Sequence, residues 1–287
     1  MRGGDCLVRV THHDDPDFPF SLCDLAGAPR QIFWIGERWP PPERAVAIVG
    51  SRAATAYGLE MAWQLSADLA RAGVTVVSGM ARGIDQAAHE GTLAAGGTTV
   101  AVLAAEPETA YPPLSHDLHA RILAQGAVCS PFPRGTAPRP SLFLTRNRVV
   151  AGLSLGVVVV EAGPRSGAHT TAKWARRWGR FVAAVPGDVT RENSLGTLAL
   201  LRRGATPVGD AGHVLAEIDR QALGAGDPRS RLLEAIGPLG QTPDALARKA
   251  GLSEPDARAQ LVLLELSGAI ERRPGGRYAR RREKEGA

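Results

Sequence analysis

The 287-residue chain carries 44% hydrophobic and 22% charged residues, enough for one sizeable core and a small companion domain. No apolar run approaches the roughly 18 residues of a membrane span, so a membrane partner is not expected. With 34 Lys and Arg against 29 Asp and Glu the formal charge is +5, supplied mostly by arginine, whose planar guanidinium suits phosphate and nucleic-acid bases among acidic partners.

The amino terminus lacks the apolar stretch of a secretory signal, which predicts a cytoplasmic protein. Cys6, Cys23 and Cys129 are scattered and odd in number, which indicates reduced thiols, not a disulfide framework or thiolate metal site. Residues 1–43 read as an N-terminal extension packing on the core. Within it, His12-His13-Asp14-Asp15-Pro16-Asp17 lies in a Pro-broken polar stretch that reads as a solvated loop, and Ile32-Phe33-Trp34-Ile35 as a short strand. Pro40-Pro41-Pro42 then delivers the chain into the first central strand.

The stretch from Val46 to His89 organises the remainder of the chain. Val46-Ala47-Ile48-Val49 stops at Gly50, and the apolar run 74–77 stops at Ser78-Gly79, the pattern of strands buried on both faces. Between them Leu59, Ala62, Leu65, Ser66, Leu69 and Ala72 recur at helical spacing, with Gly73 at the left-handed cap position. Gly50-Ser51-Arg52 and the segment 78–83, which contains Gly79 and Arg82, therefore fall at carboxyl ends of parallel strands, where open α/β sheets bind ligands. A helix over 84–95, a strand over 98–104, a helix over 116–125 capped by Gly126 and a strand over 127–129 continue the alternation. His116 and His119, three apart without a third ligand, read as surface histidines.

Residues 131–152 read as a Pro-rich loop, its first half held extended by Pro131, Pro133, Pro138 and Pro140. Its second half sets Phe143 ahead of Arg146, Asn147 and Arg148, which suits a base stacked on a ring with guanidinium groups tracking phosphates. Equally, the ring could be core and the arginines solvated or paired; both readings stand. Residues 157–160 form an apolar strand ending in Glu161, and Ser166-Gly167 opens a helix over 168–178, an expected anion site built from free backbone N–H groups and the helix dipole. Glu161 is either a general base or a capping group. A strand over 181–185 and a helix over 195–203 complete a doubly wound, mostly parallel α/β domain. Neither a P-loop, a G-x-G-x-x-G after a strand nor a nucleophile elbow is present, so the strand ends look built to hold phosphates.

Residues 221–228 read as a small flexible linker. Thr242-Pro243, Gly251 and Ser253 with Asp256 mark a helix-turn-helix, and the segments 269–273 and 277–280 around Pro274-Gly275-Gly276 a small hairpin. Residues 229–282 thus make a winged-helix-like domain, with 283–287 as tail. Glu254 and Asp256 stand at the start of the recognition helix, so a protein contact and duplex DNA are both open for this domain.

Val49-Gly50-Ser51-Arg52, the run 78–85 with His89, Tyr111-Pro112, Phe143-x-x-Arg146-Asn147-Arg148, the segment 160–162, Ser166-Gly167 and Val185-Pro186-Gly187 occur in the order of the DNA-processing protein A (DprA, or Smf) family, which the chain resembles over roughly residues 15–220. The resemblance implies an extended Rossmann-like domain over 44–220 that forms a homodimer, binds single-stranded DNA entering by natural transformation and helps load the RecA recombinase, without catalysis or cofactor. The single-strand-binding set it implies is Gly50, Ser51, Arg52, Gly79 and Arg82 at the first two strand ends, Arg139, Phe143, Arg146, Asn147 and Arg148 in the Pro-rich stretch, and Ser166, Gly167 and Lys173 at the anion site and its helix. Ala168, His169 and Thr170 depart from the usual Ser-Leu-Ile of that helix start. An alternative is a nucleotide-hydrolysing phosphoribohydrolase of the Lonely Guy type using Glu161, though its Pro-Gly-Gly-x-Gly-Thr signature is missing.

Overall fold

A computed structural model describes residues 7–15, 17–23, 25–39, 44–226, 228–237 and 240–280. Cys6, the Pro40-Pro41-Pro42 run, Asp227 and the tail lie outside them. The chain divides into two units, residues 1–218 and 219–287.

The first unit opens with β1 (Arg9–His12), the short helix α1 (Phe20–Cys23) and β2 (Gln31–Gly36). Strands and helices then alternate: β3 (Ala45–Val49), α2 (Ala56–Arg71), β4 (Thr75–Ser78), α3 (Ile84–Ala94), β5 (Thr99–Val102), α4 (His116–Gln125) and β6 (Ala127–Ser130). The pattern continues through α5 (Pro140–Gly152), β7 (Gly156–Val159), α6 (Ala168–Arg177), β8 (Phe181–Ala184), α7 (Glu192–Arg202), β9 (Thr206–Pro207) and α8 (Ala211–Gly226). The nine strands form one sheet in the order β1-β2-β6-β5-β4-β3-β7-β8-β9. Pairings from β6 through to β9 are parallel, while β1 and β2 are added antiparallel at one edge.

Every residue of β3 is buried, and alternate side chains enter opposite cores. Ala47 and Val49 join Val157, Val159 and residues of α5 and α6 on one face. Val46 and Ile48 join Val158, Ala62 and Leu65 of α2 and Ile84 of α3 on the other. The strand order runs away from β3 in both directions, so β3 and β7 flank the topological switch point, where the loops after their carboxyl ends must diverge and leave a crevice.

Several expectations change. Residues 140–152 are helix, not loop: Pro140 stands in the first turn, where its fixed φ and missing N–H cost nothing, and Val149, Val150 and Ala151 stabilise the helix by entering the core. The stretch 221–226, read as part of a linker, forms the last turns of α8, since two glycines cost about 1 kcal/mol each in a helix and do not end one already propagating. His119 is not on the surface; it is buried, with Nε2 2.9 Å from the carbonyl of Pro107. The polar stretch after β1 is ordered by His13, whose Nε2 lies 2.8 Å from the Cys23 carbonyl and whose pKa that acceptor and Asp14 raise. Cys129 is a buried free thiol, and burial pushes it above its ordinary range.

The second unit contains α9 (Pro228–Ala235), α10 (Pro243–Ala250), α11 (Glu254–Leu266) and the hairpin β10 (Ile270–Arg273) with β11 (Arg277–Arg280). Gly251 takes the left-handed conformation that closes α10, and Ser253 caps α11 by accepting from the Asp256 N–H at 3.2 Å. Leu232, Leu246, Leu261, Ile270 and Tyr278 form its core, a helix-turn-helix with a wing. No described helix is long and apolar enough to cross a membrane.

Candidate nucleic-acid interface

The crevice at the switch point is a cavity of about 470 Å³. The loop after β3 forms one wall, with Gly50, Ser51 and Arg52; the loop after β7 forms the other, with Arg165, Ser166 and Gly167; Phe143, Arg146 and Asn147 of α5 lie between them. A second cavity of about 450 Å³ shares Arg52 and Phe143 and adds Gly79, Arg82 and Tyr111. Ten of the sequence-predicted residues therefore converge on two adjoining hollows.

Arg52 is exposed, and its guanidinium carbon sits 4.8 Å from the centroid of the half-buried Phe143 ring. Tyr111 meets the same ring at 5.9 Å. Phe143 is thus neither a core residue nor a bare platform: it carries Arg52 at the junction of the two hollows.

Arg146 differs from Arg52, although the motif pattern assigns both to phosphate. It is 4% exposed, with Nη1 3.6 Å from Oδ2 of Asp85, itself 5% exposed. Burial pushes the Asp85 carboxyl up and the Arg146 guanidinium down, and each opposes that shift in the other. The guanidinium lies against Gly79, where any Cβ would overlap it, so the glycine is required by close approach. The next residue, Met80, is fully buried at φ 58°, a left-handed conformation costing a side-chain-bearing residue of order 1–3 kcal/mol. Arg146 is therefore mainly a structural cation under the groove floor.

His89 lies in the same buried layer. The Thr99 hydroxyl donates to the Val76 carbonyl at 2.7 Å, so it can only accept from His89 Nδ1, also at 2.7 Å, which fixes the proton on Nδ1. Nε2 has no partner, and burial, with Arg146 nearby, lowers the His89 pKa to about 3.

The walls are cross-tied. Glu161 accepts from the Thr55 N–H at 2.9 Å and the Thr55 hydroxyl at 2.5 Å, while Thr55 accepts from the Gly58 N–H at 3.2 Å. Of the two roles open to Glu161, capping is the one it fills, clamping the end of β7 to the amino terminus of α2. A Cβ at Gly58 would run into the Glu161 carboxyl, so this glycine too is demanded by contact. Asn147 donates to the Gly167 carbonyl at 3.2 Å, and Asn193, which the motif pattern does not single out, donates to Ala53 at 2.8 Å.

The anion site departs from expectation in detail. The N–H groups of Ser166, Ala168, His169 and Thr170 already bond within the loop, so it offers the helix dipole and the open surface at Gly167, not a set of free amides. His169, at a departing position, braces the loop with Nε2 3.0 Å from the Gly163 carbonyl. Arg165 faces the groove as well, a residue missed in the sequence because only the Ser-Gly pair beside it carries a known reason. Three expected residues stand apart: Arg139 precedes α5 outside both hollows, Lys173 is exposed on α6, and Arg148 turns to the opposite side of α5, 4.5 Å over the Trp174 ring.

In the second unit, Arg258 is held by Glu254 at 2.5 Å and Asp244 at 3.3 Å, which leaves the amino terminus of α11 acidic.

The buried and the exposed cation should respond differently to substitution. Arg146→Ala strands a buried carboxylate and costs about 3–5 kcal/mol of stability, whereas exposed Arg52→Ala stays within about 0.5 kcal/mol; urea melts of both variants decide this. His89 has a depressed folded-state pKa, so its contribution is complete above pH 6.5 and lost as pH falls toward 3. Between pH 6.5 and 5 that loss is about 2 kcal/mol, at 1.36 kcal/mol per unit, and His89→Gln flattens it; an unchanged pH slope in the variant rejects the assignment.

Comparison with known proteins agrees with this geometry. Residues 9–219 match the model of DNA recombination-mediator protein A, and residues 202–276 the DprA winged helix domain. The chain is 44% identical to a DNA processing protein DprA of Mycobacterium tuberculosis over 96% of its own length and 77% of the relative's. It is 35% identical to protein Smf of Escherichia coli over 96% and 79%. The X-ray structure of DNA processing protein A from Streptococcus pneumoniae superposes with a TM-score of 0.69 at 34% identity, covering 73% of this chain and 74% of that one. DNA processing protein A from Helicobacter pylori, whose structure describes a single-stranded DNA binding mode, shares the fold with a TM-score of 0.65 at 24% identity, covering 74% and 96%. Motif order, sheet topology, groove and winged-helix unit together place the chain in the DNA recombination-mediator protein A family.

Proposed function

We propose that this chain binds single-stranded DNA in the switch-point groove and acts, without catalysing a reaction, as a mediator of DNA recombination in transformation. Arg52 carries the reading. An exposed guanidinium held over Phe143 where two hollows meet can pair with phosphate while its flat face remains available to a base. Arg165 and the amino terminus of α6 supply the facing positive wall. The single-strand binding described for the Helicobacter pylori protein supports the same ligand here.

Action as a homodimer in the cytoplasm and transfer of the strand to RecA are inferred from the family resemblance. A non-catalytic role is supported by Glu161, whose two oxygens are engaged by Thr55; a phosphoribohydrolase would need that carboxylate free for a water. Incubation with nucleoside monophosphates should release no free base. For the winged-helix unit, the acidic start of α11 favours a protein contact over duplex DNA, because carboxylates there repel the backbone.

Coupling between Arg52 and Phe143 tests the groove. Arg52→Ala should weaken oligothymidylate binding and make the log–log salt slope shallower by about 0.7, the value for one phosphate on a single strand. Phe143→Ala should weaken binding by about 1 kcal/mol through loss of the cation–π support, with little change of slope. If the ring acts through Arg52, the double variant binds no worse than Arg52→Ala. Additive losses would instead make Phe143 an independent base platform, and a salt-independent wild-type affinity would defeat the phosphate reading.

A further inference from the structure

The residues that the groove leaves out share one surface. From Arg139 to Gly187 the chain carries eight arginine or lysine residues and a single acid, Glu161. That acid is buried and capped onto α2, so it neutralises nothing on the outside. Arg146 is consumed inside by Asp85 and Arg165 faces the groove. Most of the others gather on the outer side of α5 and α6, the two helices that cover one sheet face through Val149, Ala168, Ala172 and Ala175.

The arrangement there is ordered by an aromatic ring. Trp174 packs on Trp178 with centroids 4.9 Å apart and receives two guanidinium groups, Arg148 at 4.5 Å and Arg177 at 5.1 Å. Arg176, two positions beyond Trp174 and so on the far side of α6 from it, donates to the Leu200 carbonyl at 3.3 Å. Lys173 stands exposed one turn nearer the groove. Since α6 begins directly after Gly167, its cations lie from about 9 to about 15 Å down the helix from the groove wall at 1.5 Å per residue. No acid lies on α5 or α6. Like charges held this close repel one another, and the ring contacts that fix them leave the surface waiting for a polyanion.

We propose that the outer face of α5 and α6, through Lys173, Arg177 and the Trp174-bound Arg148, is a second contact surface for single-stranded DNA, taking the strand as it leaves the groove past Gly167. Its role is to lengthen the bound stretch by phosphate contacts, and it rests on the groove reading for the place where the strand emerges.

Fluorescence anisotropy of the full chain with dT8 and dT30 at several salt concentrations separates the two surfaces. The paired variant Lys173→Glu, Arg177→Glu should bind dT8 like wild type but lose roughly tenfold or more for dT30, with a salt slope shallower by about 1.4 for two phosphates. Lys173→Arg should keep full affinity, and Arg71→Glu, on the α2 side of the sheet, should leave dT30 binding unchanged, which controls for net charge. Unchanged dT30 affinity in the paired variant overturns the proposal, as does an equal loss for dT8, or a loss confined to a 30-base-pair duplex. If the paired variant melts below wild type, Lys173→Gln with Arg177→Gln replaces it under the same criteria. Arg52→Ala reports separately on the groove: if it changes neither oligonucleotide, the groove reading fails whatever the α6 variants do.

Discussion

A buried ion pair sets the geometry of the groove. Arg146 reaches from α5 to Asp85 at the start of α3 across the strand end at Gly79, where only a glycine lets the guanidinium lie. Taking two charges out of water costs several kcal/mol each and is offset only by close pairing, so such a contact tolerates little displacement and fixes α5 against the sheet. One turn earlier on the same helix face stands Phe143, and on its ring rests Arg52. The exposed cation is positioned by the buried one through an aromatic spacer. Burial keeps His89 neutral, and that chain of contacts adds to it: a proton there would add a second positive charge to a layer already holding Arg146.

Division of labour among charges runs through the whole unit. Asp85 and Glu161 are both buried at the sheet's carboxyl edge, and each is committed to structure, one to Arg146 and the other to the cap of α2. The groove at that edge is therefore left with exposed cations, the helix dipole and one exposed carboxylate, Glu192. An edge so composed attracts phosphate, which is what a nucleic-acid-binding surface requires.

The fold was legible in the sequence because parallel strands buried on both faces leave continuous apolar runs, and helices between them leave a period that glycine punctuates, as at Gly73 with its φ of 75°. Helix α5 escaped because four prolines mark the segment as extended, and only packing shows that the last of them is a first-turn residue. The last turns of α8 read as a linker for the same kind of reason: glycine-rich composition resembles one, while helix propagation ignores two weak positions. Within the site, residue type could be read but not direction. Arg146 and Arg148 are two apart on one helix, hence about 200° apart around it, so one enters the core and the other turns to Trp174. An arginine motif in a stretch that reads as loop gives no means of telling them apart. Arg165 and Asn193 carried no spacing signal at all, because loop residues converge on a site through tertiary structure alone.

Arg52 also borders a third and larger hollow of about 820 Å³ on the side away from α6. It is mixed in charge, unlike the α5–α6 face: Glu60, Glu90 and Asp117 line it with Arg82, Trp63 and the fully exposed Leu114. Arg121, the nearest cation on α4, is already divided between Glu90 at 2.8 Å and Asp117 at 3.5 Å. On the proposed reading a phosphate chain at Arg52 would meet Arg165, with Glu192 beside it, toward Gly167, and three carboxylates with Arg82 toward α4. At physiological ionic strength, charges within about 8 Å still act on one another, so this asymmetry bears directly on the nucleotides that flank the groove. On that reading the excess of acids toward α4 would disfavour a path there and favour one across the loop after β7, so that the placement of the acids, as well as of the arginines, would bias the direction of the strand.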